Sequence, residues 1–264
     1  MAVIAPTDPA LEAYEAFAPY YDRYTELYGH EVWLANIEQV ARGLGLSGRR
    51  LLDVGCGTGK SFMPLLARGY HVVACDVSPE MVARARVRAG GDAEVLVADA
   101  RELPELGVFD LVTSLDDCLN YLLTDDELAA AFEGVARNLR PGGLFIFDLN
   151  SLATYREAFA MDAVSESDGT VFCWRGNGDP EAGPGTFATA TIEVFSTEDG
   201  ECWRRTTSQH AQRHHPLGLV ARLLEGAGLD LVDLRGQITG EKLEKPADED
   251  RHVKVVYFAR KANE

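Results

Sequence analysis

From Arg50 onward, apolar runs of four or five residues alternate with segments whose apolar positions recur at helical spacing. The runs are Leu51 to Val54, Val72 to Cys75, Glu94 to Ala98, Leu111 to Ser114 and Leu144 to Phe147. Short, β-branched or aromatic runs of this kind are the pattern of strands in a parallel sheet covered by helices on both faces. The helices between them have readable starts. Ser78 can cap a helix with Pro79 at its first position, and Thr124 with Glu127 makes a capping-box pattern. Beyond that box, Leu128, Phe132, Val135 and Leu139 share one helical face, and Pro141-Gly142-Gly143 returns the chain to a strand.

Ahead of this core the pattern predicts helices from about Leu11 to Phe17 and from about Glu31 to Leu44, the second through Trp33, Ile37, Val40 and Leu44. The aromatic cluster Tyr20, Tyr21, Tyr24 and Tyr28 lies between them. After Leu149 the rhythm changes. A helix near Thr154 to Phe159 precedes Thr170 to Arg175, Thr186 to Ser196 and Glu201 to His210, which predict an antiparallel insertion of about three strands. A helix over Pro216 to Glu225 follows, then strands at Leu229 to Leu234 and Val253 to Ala259 joined by a long charged loop. The expected division is residues 1–150 for the N-terminal helices and α/β core, 151–212 for the β-rich insertion, and 213–264 for the last helix and strands of the core sheet.

Composition fits a soluble globular chain, with 46% hydrophobic and 25% charged residues, and 264 residues suit one domain plus an insertion. The net charge of -17 argues against a nucleic-acid partner, because such binding depends on Lys and Arg neutralising phosphates. The one dense basic run, Arg84, Arg86 and Arg88, reads as a solvated helix face. Five widely spaced cysteines without a CxxC pair fit a reducing cytoplasm. The start MAVIAPTDPALEAYEAF lacks a basic region followed by an apolar one, and no uninterrupted apolar stretch approaches the roughly 18 residues of a membrane span, so neither secretion nor a membrane is expected.

The chemically informative stretch is Asp53-Val54-Gly55-Cys56-Gly57-Thr58-Gly59, directly after a strand and before a helix. Alternating glycines allow a sharp turn and close backbone approach to a ligand. A dinucleotide fingerprint needs a third glycine where Lys60 stands, which weakens a nicotinamide reading. Asp76, at the end of the next strand, is placed to accept from ribose hydroxyls, and Asp99 ends the third run beside Ala100. Val77 and Met81 offer apolar contacts to a base. Three strand ends therefore converge on one nucleoside-like ligand outside the carboxyl edge of the sheet.

Taken together, LLDVGCGTG, VVACDVSPEMV, VADARELP, FDLVTSLDDCLNYL and NLRPGGLFIFDLNS resemble the successive motifs of class I S-adenosylmethionine-dependent methyltransferases, particularly bacterial small-molecule N- and O-methyltransferases, over about residues 12 to 150. The resemblance implies a doubly wound α/β fold whose mostly parallel seven-stranded sheet is ordered 3-2-1-4-5-7-6, with strand seven antiparallel, an N-terminal helical lid and the small β insertion over the acceptor site. S-adenosyl-L-methionine is the implied cofactor. The resemblance assigns Asp53, Gly55, Gly57 and Gly59 to its methionine moiety, Asp76 to the ribose, Asp99 and Ala100 to the adenine, and the Leu115 backbone to the amino-acid end. Tyr21 is the lid tyrosine expected to reach the cofactor carboxylate. Lys60 departs from the small or apolar residue common there, and reads as a second carboxylate partner or as exposed.

The expected partner is a small-molecule acceptor, with neither the acceptor atom nor an oligomeric state singled out. In-line transfer from a sulfonium favours a dry pocket and precise orientation more than it demands a base. For a hydroxyl acceptor, a histidine base is natural, and His210, His214 and His215 cluster where the insertion re-enters the core. His214 is the first choice and His210 the second. Asp116 or Asp117 with Asp148 and Asn150 superficially suits a hard cation, but Leu149 separates the latter pair, and no metal is expected. Trp174, Trp203, Phe172 and Phe187 are candidates for an apolar wall. The alternatives are a nicotinamide oxidoreductase and a non-catalytic nucleoside-binding protein.

Overall fold

The computed structural model describes residues 8–238 and 242–263; residues 1–7, part of the start where no secretion signal is expected, 239–241, within the expected charged loop, and 264 lie outside the described residues. Two helices lead, α1 (Pro9–Tyr24) and α2 (His30–Gly43). The core follows as β1 (Arg50–Val54), α3 (Met63–Ala67), β2 (His71–Asp76), α4 (Pro79–Ala89), β3 (Glu94–Val97), β4 (Phe109–Ser114), α5 (Asp125–Asn138) and β5 (Leu139–Asn150). A short α6 (Leu152–Glu157) leads into β6 (Asp162–Ser167), β7 (Thr170–Asn177), β8 (Phe187–Thr197) and β9 (Trp203–Arg213). The chain closes with α7 (Leu217–Gly226), β10 (Leu229–Ile238), β11 (Lys242–Glu244) and β12 (Lys254–Lys261).

The main sheet is ordered β11-β10-β12-β5-β4-β1-β2-β3. Strands β1 to β5 pair in parallel, and β12 runs antiparallel to both β5 and β10. This is the expected 3-2-1-4-5-7-6 order with one further strand, β11, at the edge. Side-chain alternation explains why its central strands read as continuous apolar runs. Along β5, Phe145 and Phe147 join α5 residues such as Phe132 on one face, while Leu144 and Ile146 face the α2 and α4 side with Trp33, Ile37 and Val82. Each fully buried Phe or Leu side chain contributes about 1.5–3 kcal/mol, so a polar residue on either face would be expelled.

Local signals agree with these boundaries. The Ser78 side chain accepts from the Met81 amide, and Thr124 and Glu127 form a reciprocal capping box at α5. Two expectations are corrected. Helix α1 does not stop at Phe17: it continues through Pro19 to Tyr24, carrying three of the four clustered tyrosines. Proline costs a helix one hydrogen bond, and Pro19 lies on the exposed side, where the remaining face still packs. The insertion has four antiparallel strands, ordered β6-β7-β8-β9, because the exposed β6 pairs with β7 as well.

The small sheet and α1 cover the carboxyl edge of the main sheet. Phe17 packs on Phe172, Ile192 and Val194, and Tyr20 Oη lies 3.2 Å from Thr206 Oγ1 on β9. Among the described residues, no helix is long and apolar enough to cross a membrane.

Candidate functional site

The glycine turn follows β1 directly. The Gly55 and Cys56 amides donate to the Cys75 carbonyl at 2.8 and 3.0 Å, anchoring the turn to β2. Gly55 has φ of 74°, and a Cβ there would stand 2.1 Å from Cys118 Sγ, so no side chain fits. Gly57, with φ of 52°, donates its amide to Asp76 Oδ2 at 2.8 Å; Asp76 Oδ1 accepts from the Ser78 amide at 2.9 Å. Burial raises the Asp76 carboxyl pKa, and the Ser78 and Gly57 amides partly offset this. A crevice of about 50 Å³ lies here, lined by Gly55, Gly57, Thr58, Asp76 and Leu115 and roofed by Tyr14 and Tyr21.

That roof is latched. Asp22, near the end of α1, accepts from Thr58 Oγ1 at 2.6 Å and pairs with Arg88. Lys60 Nζ donates to the Asp22 carbonyl at 2.8 Å and to Thr25 Oγ1 at 2.9 Å. Glu15 accepts from Ser78 Oγ at 2.6 Å and from the Glu80 amide at 3.0 Å. Lys60 therefore ties the end of α1 to the glycine turn while lining the crevice, which corrects the expectation that it is exposed. Arg88 and Arg86 are likewise not a merely solvated face: their Nε atoms donate to the carbonyls of Thr58 and Val95, each at 2.9 Å.

A second cavity of about 550 Å³ adjoins the first, with Tyr14, Tyr21, His30 and Asp116 lining both. Its walls include Tyr24, Trp33, Tyr121, Phe159 and Trp174. At its base Asp116 and Asp117 stand at φ of 59° and 52°, an uncommon conformation that aspartate tolerates better than most residues. Asp148 holds them there, accepting from their amides at 2.7 and 2.9 Å. Lys254 Nζ sits among these three acids, 2.8 Å from Asp117, 3.0 Å from Asp148 and 3.5 Å from Asp116, and 5.7 Å from the Trp33 ring centroid. Burial opposes the Lys254 charge, but Asp117, Asp148 and Asp116 outweigh it and push the pKa well up. Burial also raises Asp116, yet Lys254 and His30, whose Nε2 lies 2.7 Å away, bring it down to about 2. For Asp148, burial prevails and pushes the carboxyl up to about 6.

Comparison with known proteins agrees with this geometry. A family model described as a methyltransferase domain matches residues 51–143, from β1 into β5. YqeM of Bacillus subtilis (strain 168), provisionally named a methyltransferase, is 29% identical over 230 residues, covering 86% of this chain and 90% of that protein. The crystal structure of an S-adenosylmethionine-dependent methyltransferase from Clostridium acetobutylicum ATCC 824 superposes with a TM-score of 0.78 at 24% identity, covering 95% and 99% of the two chains. The sugar N-methyltransferase KedS8 from Streptoalloteichus sp ATCC 53650 gives 0.70 at 23% identity over 100% and 99%. Residues 51–143 thus carry the methyltransferase-domain pattern, and the chain as a whole has the fold of S-adenosylmethionine-dependent methyltransferases.

Within this methyltransferase fold, the structure brings Tyr21, Gly55, Gly57, Asp76 and Leu115 to the crevice. Gly59 supports the turn from behind, its amide donating to the Cys56 carbonyl at 2.9 Å. Asp53 lies beneath the turn, fully buried, accepting from Ser61 Oγ at 2.5 Å and Thr113 Oγ1 at 2.6 Å, and burial pushes it up to about 6 despite these hydrogen bonds. Met81 and Val77 stand beside Asp76 at the start of α4, off the crevice wall, and Met81 is buried. Asp99 and Ala100 also stand off it; the Asp99 carboxylate binds Arg101, which pairs with Asp8 and Glu127 too.

The histidines divide sharply. His214 is fully buried away from both cavities, its Nδ1 accepting from the Gly185 amide at 3.1 Å and its Nε2 3.1 Å from Glu249. His215 is buried outside them as well. His210 lines the large cavity, with Nδ1 2.9 Å from Tyr121 Oη and Nε2 3.0 Å from Ser208 Oγ, and burial pushes its pKa down to about 4. Of the candidate wall aromatics, Trp174 lines the cavity and Phe172 packs behind it, but Phe187 and Trp203 are exposed. Sequence reasoning missed Tyr14, His30, Trp33, Gln212 and Lys254. Lys254 was legible only as the second residue of the expected strand from Val253, and His30 only as the residue before the expected helix from Glu31.

Proposed function

We propose that the chain moves a methyl group from S-adenosylmethionine to a nitrogen or oxygen of a small-molecule metabolite held in the aromatic cavity. The observation that carries this reading is the junction: the crevice at the carboxyl ends of β1 and β2 opens, past Tyr14, Tyr21, His30 and Asp116, onto a cavity within the roughly 300–1,000 Å³ range of small-molecule sites. The residues fit the cofactor. The side-chain-free turn at Gly55 and Gly57 suits its amino-acid tail, Asp76 its ribose hydroxyls, and Leu115 and Tyr21 the junction; the adenine would extend beyond the crevice wall toward Asp99 and Ala100, after β3, where Arg101 holds the Asp99 carboxylate. When bound, the cofactor supplies an electrophilic methyl group on a positively charged sulfur.

The chain's own residues would hold, orient and dry the site. The contacts of α1 through Asp22, Lys60 and Glu15 would hold it over a bound cofactor and exclude water. His210, neutral at pH 7 and hydrogen-bonded to Tyr121, would orient that phenol toward the acceptor, a role that suits the geometry better than base catalysis; His214 has no path to either cavity. Asp116, Asp117 and Asp148 converge on the Lys254 ammonium, which supplies their cation. The similar fold of KedS8, a sugar N-methyltransferase, is compatible with nitrogen as the acceptor atom. A cytoplasmic location belongs to this reading, as five unpaired cysteines fit a reducing compartment. Calorimetry with S-adenosylhomocysteine, followed by a metabolite screen with methyl-labelled cofactor, tests it: binding and label in an acceptor support it, and absence of binding overturns it.

A further inference from the structure

The wall of the larger cavity also specifies what it takes, on the reading that it holds the methyl acceptor. Its charged side chains among the described residues are Asp116, Asp117 and Lys254, with Asp148 buried behind them. Three carboxylates thus outnumber the Lys254 ammonium, and would outnumber it together with a protonated His30. In a cavity walled by aromatic rings the effective dielectric is low, so this surplus attracts a cation and repels an anion. The faces of tyrosine and tryptophan add to the attraction. An oxygen acceptor that must gather negative charge meets the opposite field, and His210, at about 4, is too weak a base to draw its proton.

Two buried polar atoms make a second, independent point. Trp33 Nε1 and Gln237 Oε1 find no hydrogen-bond partner among the described residues, although both residues line this cavity and Trp33 is 3% exposed. Such groups are rare in folded proteins because their desolvation goes uncompensated. One requires an acceptor and the other a donor. Hydroxyl groups supply both. We infer that the acceptor is a small hydroxylated amine, bound as its ammonium ion against Asp116 and Asp117 with hydroxyl groups at Trp33 and Gln237; one ammonium proton passes by way of the Asp117 carboxylate to solvent before the freed nitrogen lone pair attacks the methyl carbon and the carbon–sulfur bond breaks to leave S-adenosylhomocysteine.

The test uses protein loaded with S-adenosylhomocysteine, whose own affinity is measured first, so that failure of the cofactor reading shows there and separately. Four matched probes follow by saturation-transfer NMR and calorimetry: trans-2-aminocyclohexanol, cyclohexylamine, cyclohexanol and cyclohexanecarboxylate. The expected order is the amino alcohol, then the amine about threefold weaker, with the alcohol and carboxylate at least about tenfold weaker than the amine. Asp117→Asn keeps a residue suited to positive φ and should weaken both amines about tenfold while S-adenosylhomocysteine affinity holds. Trp33→Phe keeps a ring but removes the donor, and should erase the preference for the amino alcohol while the plain amine still binds. Alcohol or carboxylate binding as tightly as the amines, or both variants binding all probes as the parent does, would overturn the proposal.

Discussion

Asp76 and Asp53 show how two acids of one motif divide their work. Asp76 faces the crevice and holds two backbone amides, whereas Asp53 points beneath the turn to two hydroxyls. Replacing Asp76 by Ala should weaken S-adenosylhomocysteine binding by about 1 to 3 kcal/mol through lost buried hydrogen bonds; calorimetry showing equal affinity would remove it from the ribose site. Asp53 makes a pH prediction. Its folded pKa of about 6 lies above the unfolded value near 3.9. Its ionisation therefore costs stability as pH rises from about 4 through 6, and that cost is absent below pH 4. Asp53→Asn should gain stability relative to the parent between pH 4 and 8, measured by denaturant unfolding; a difference independent of pH would contradict the burial argument. Both acids were legible in sequence as motif members. Their opposite directions were not, because the turn that separates them is a three-dimensional matter.

Elements were legible in proportion to the contrast they draw. Strands β1, β2, β4 and β5 are buried on both faces and appear as apolar runs, and α5 shows its capping box and its apolar face. Strand β6 is exposed along nearly its whole length, and β11 has three residues in a charged stretch, so neither carries a pattern to detect. The end of α1 was hidden by Pro19, which ends most helices. That same end is the latch. Asp22→Ala removes the contacts to Thr58 and Arg88 and should speed amide exchange in the second half of α1 while leaving β1 to β5 unchanged. In the parent protein, S-adenosylhomocysteine should slow exchange in the same segment. Identical exchange in variant and parent would show that α1 is not held by this contact.

At the scale of the whole molecule, the alternation of runs and helices showed a parallel sheet, the order 3-2-1-4-5-7-6 was what the motif resemblance implied, and the structure adds an edge strand. The acceptor cavity was far less legible, since its walls come from α1, α2, the β4–α5 connection, the small sheet and β12, the first and last of them more than two hundred residues apart. Lys254 meets Asp116, Asp117 and Asp148 only once β12 is laid against β5. The account depends on one junction, where a cofactor in the crevice presents its methyl-bearing sulfur to that cavity. A crystal structure with S-adenosylhomocysteine tests this most directly. The expected result is ribose at Asp76, the amino-acid tail along Gly55 to Gly59, and sulfur between Tyr21, Leu115 and Asp116, open to the aromatic cavity. Binding elsewhere, or sulfur walled off from that cavity, would contradict it.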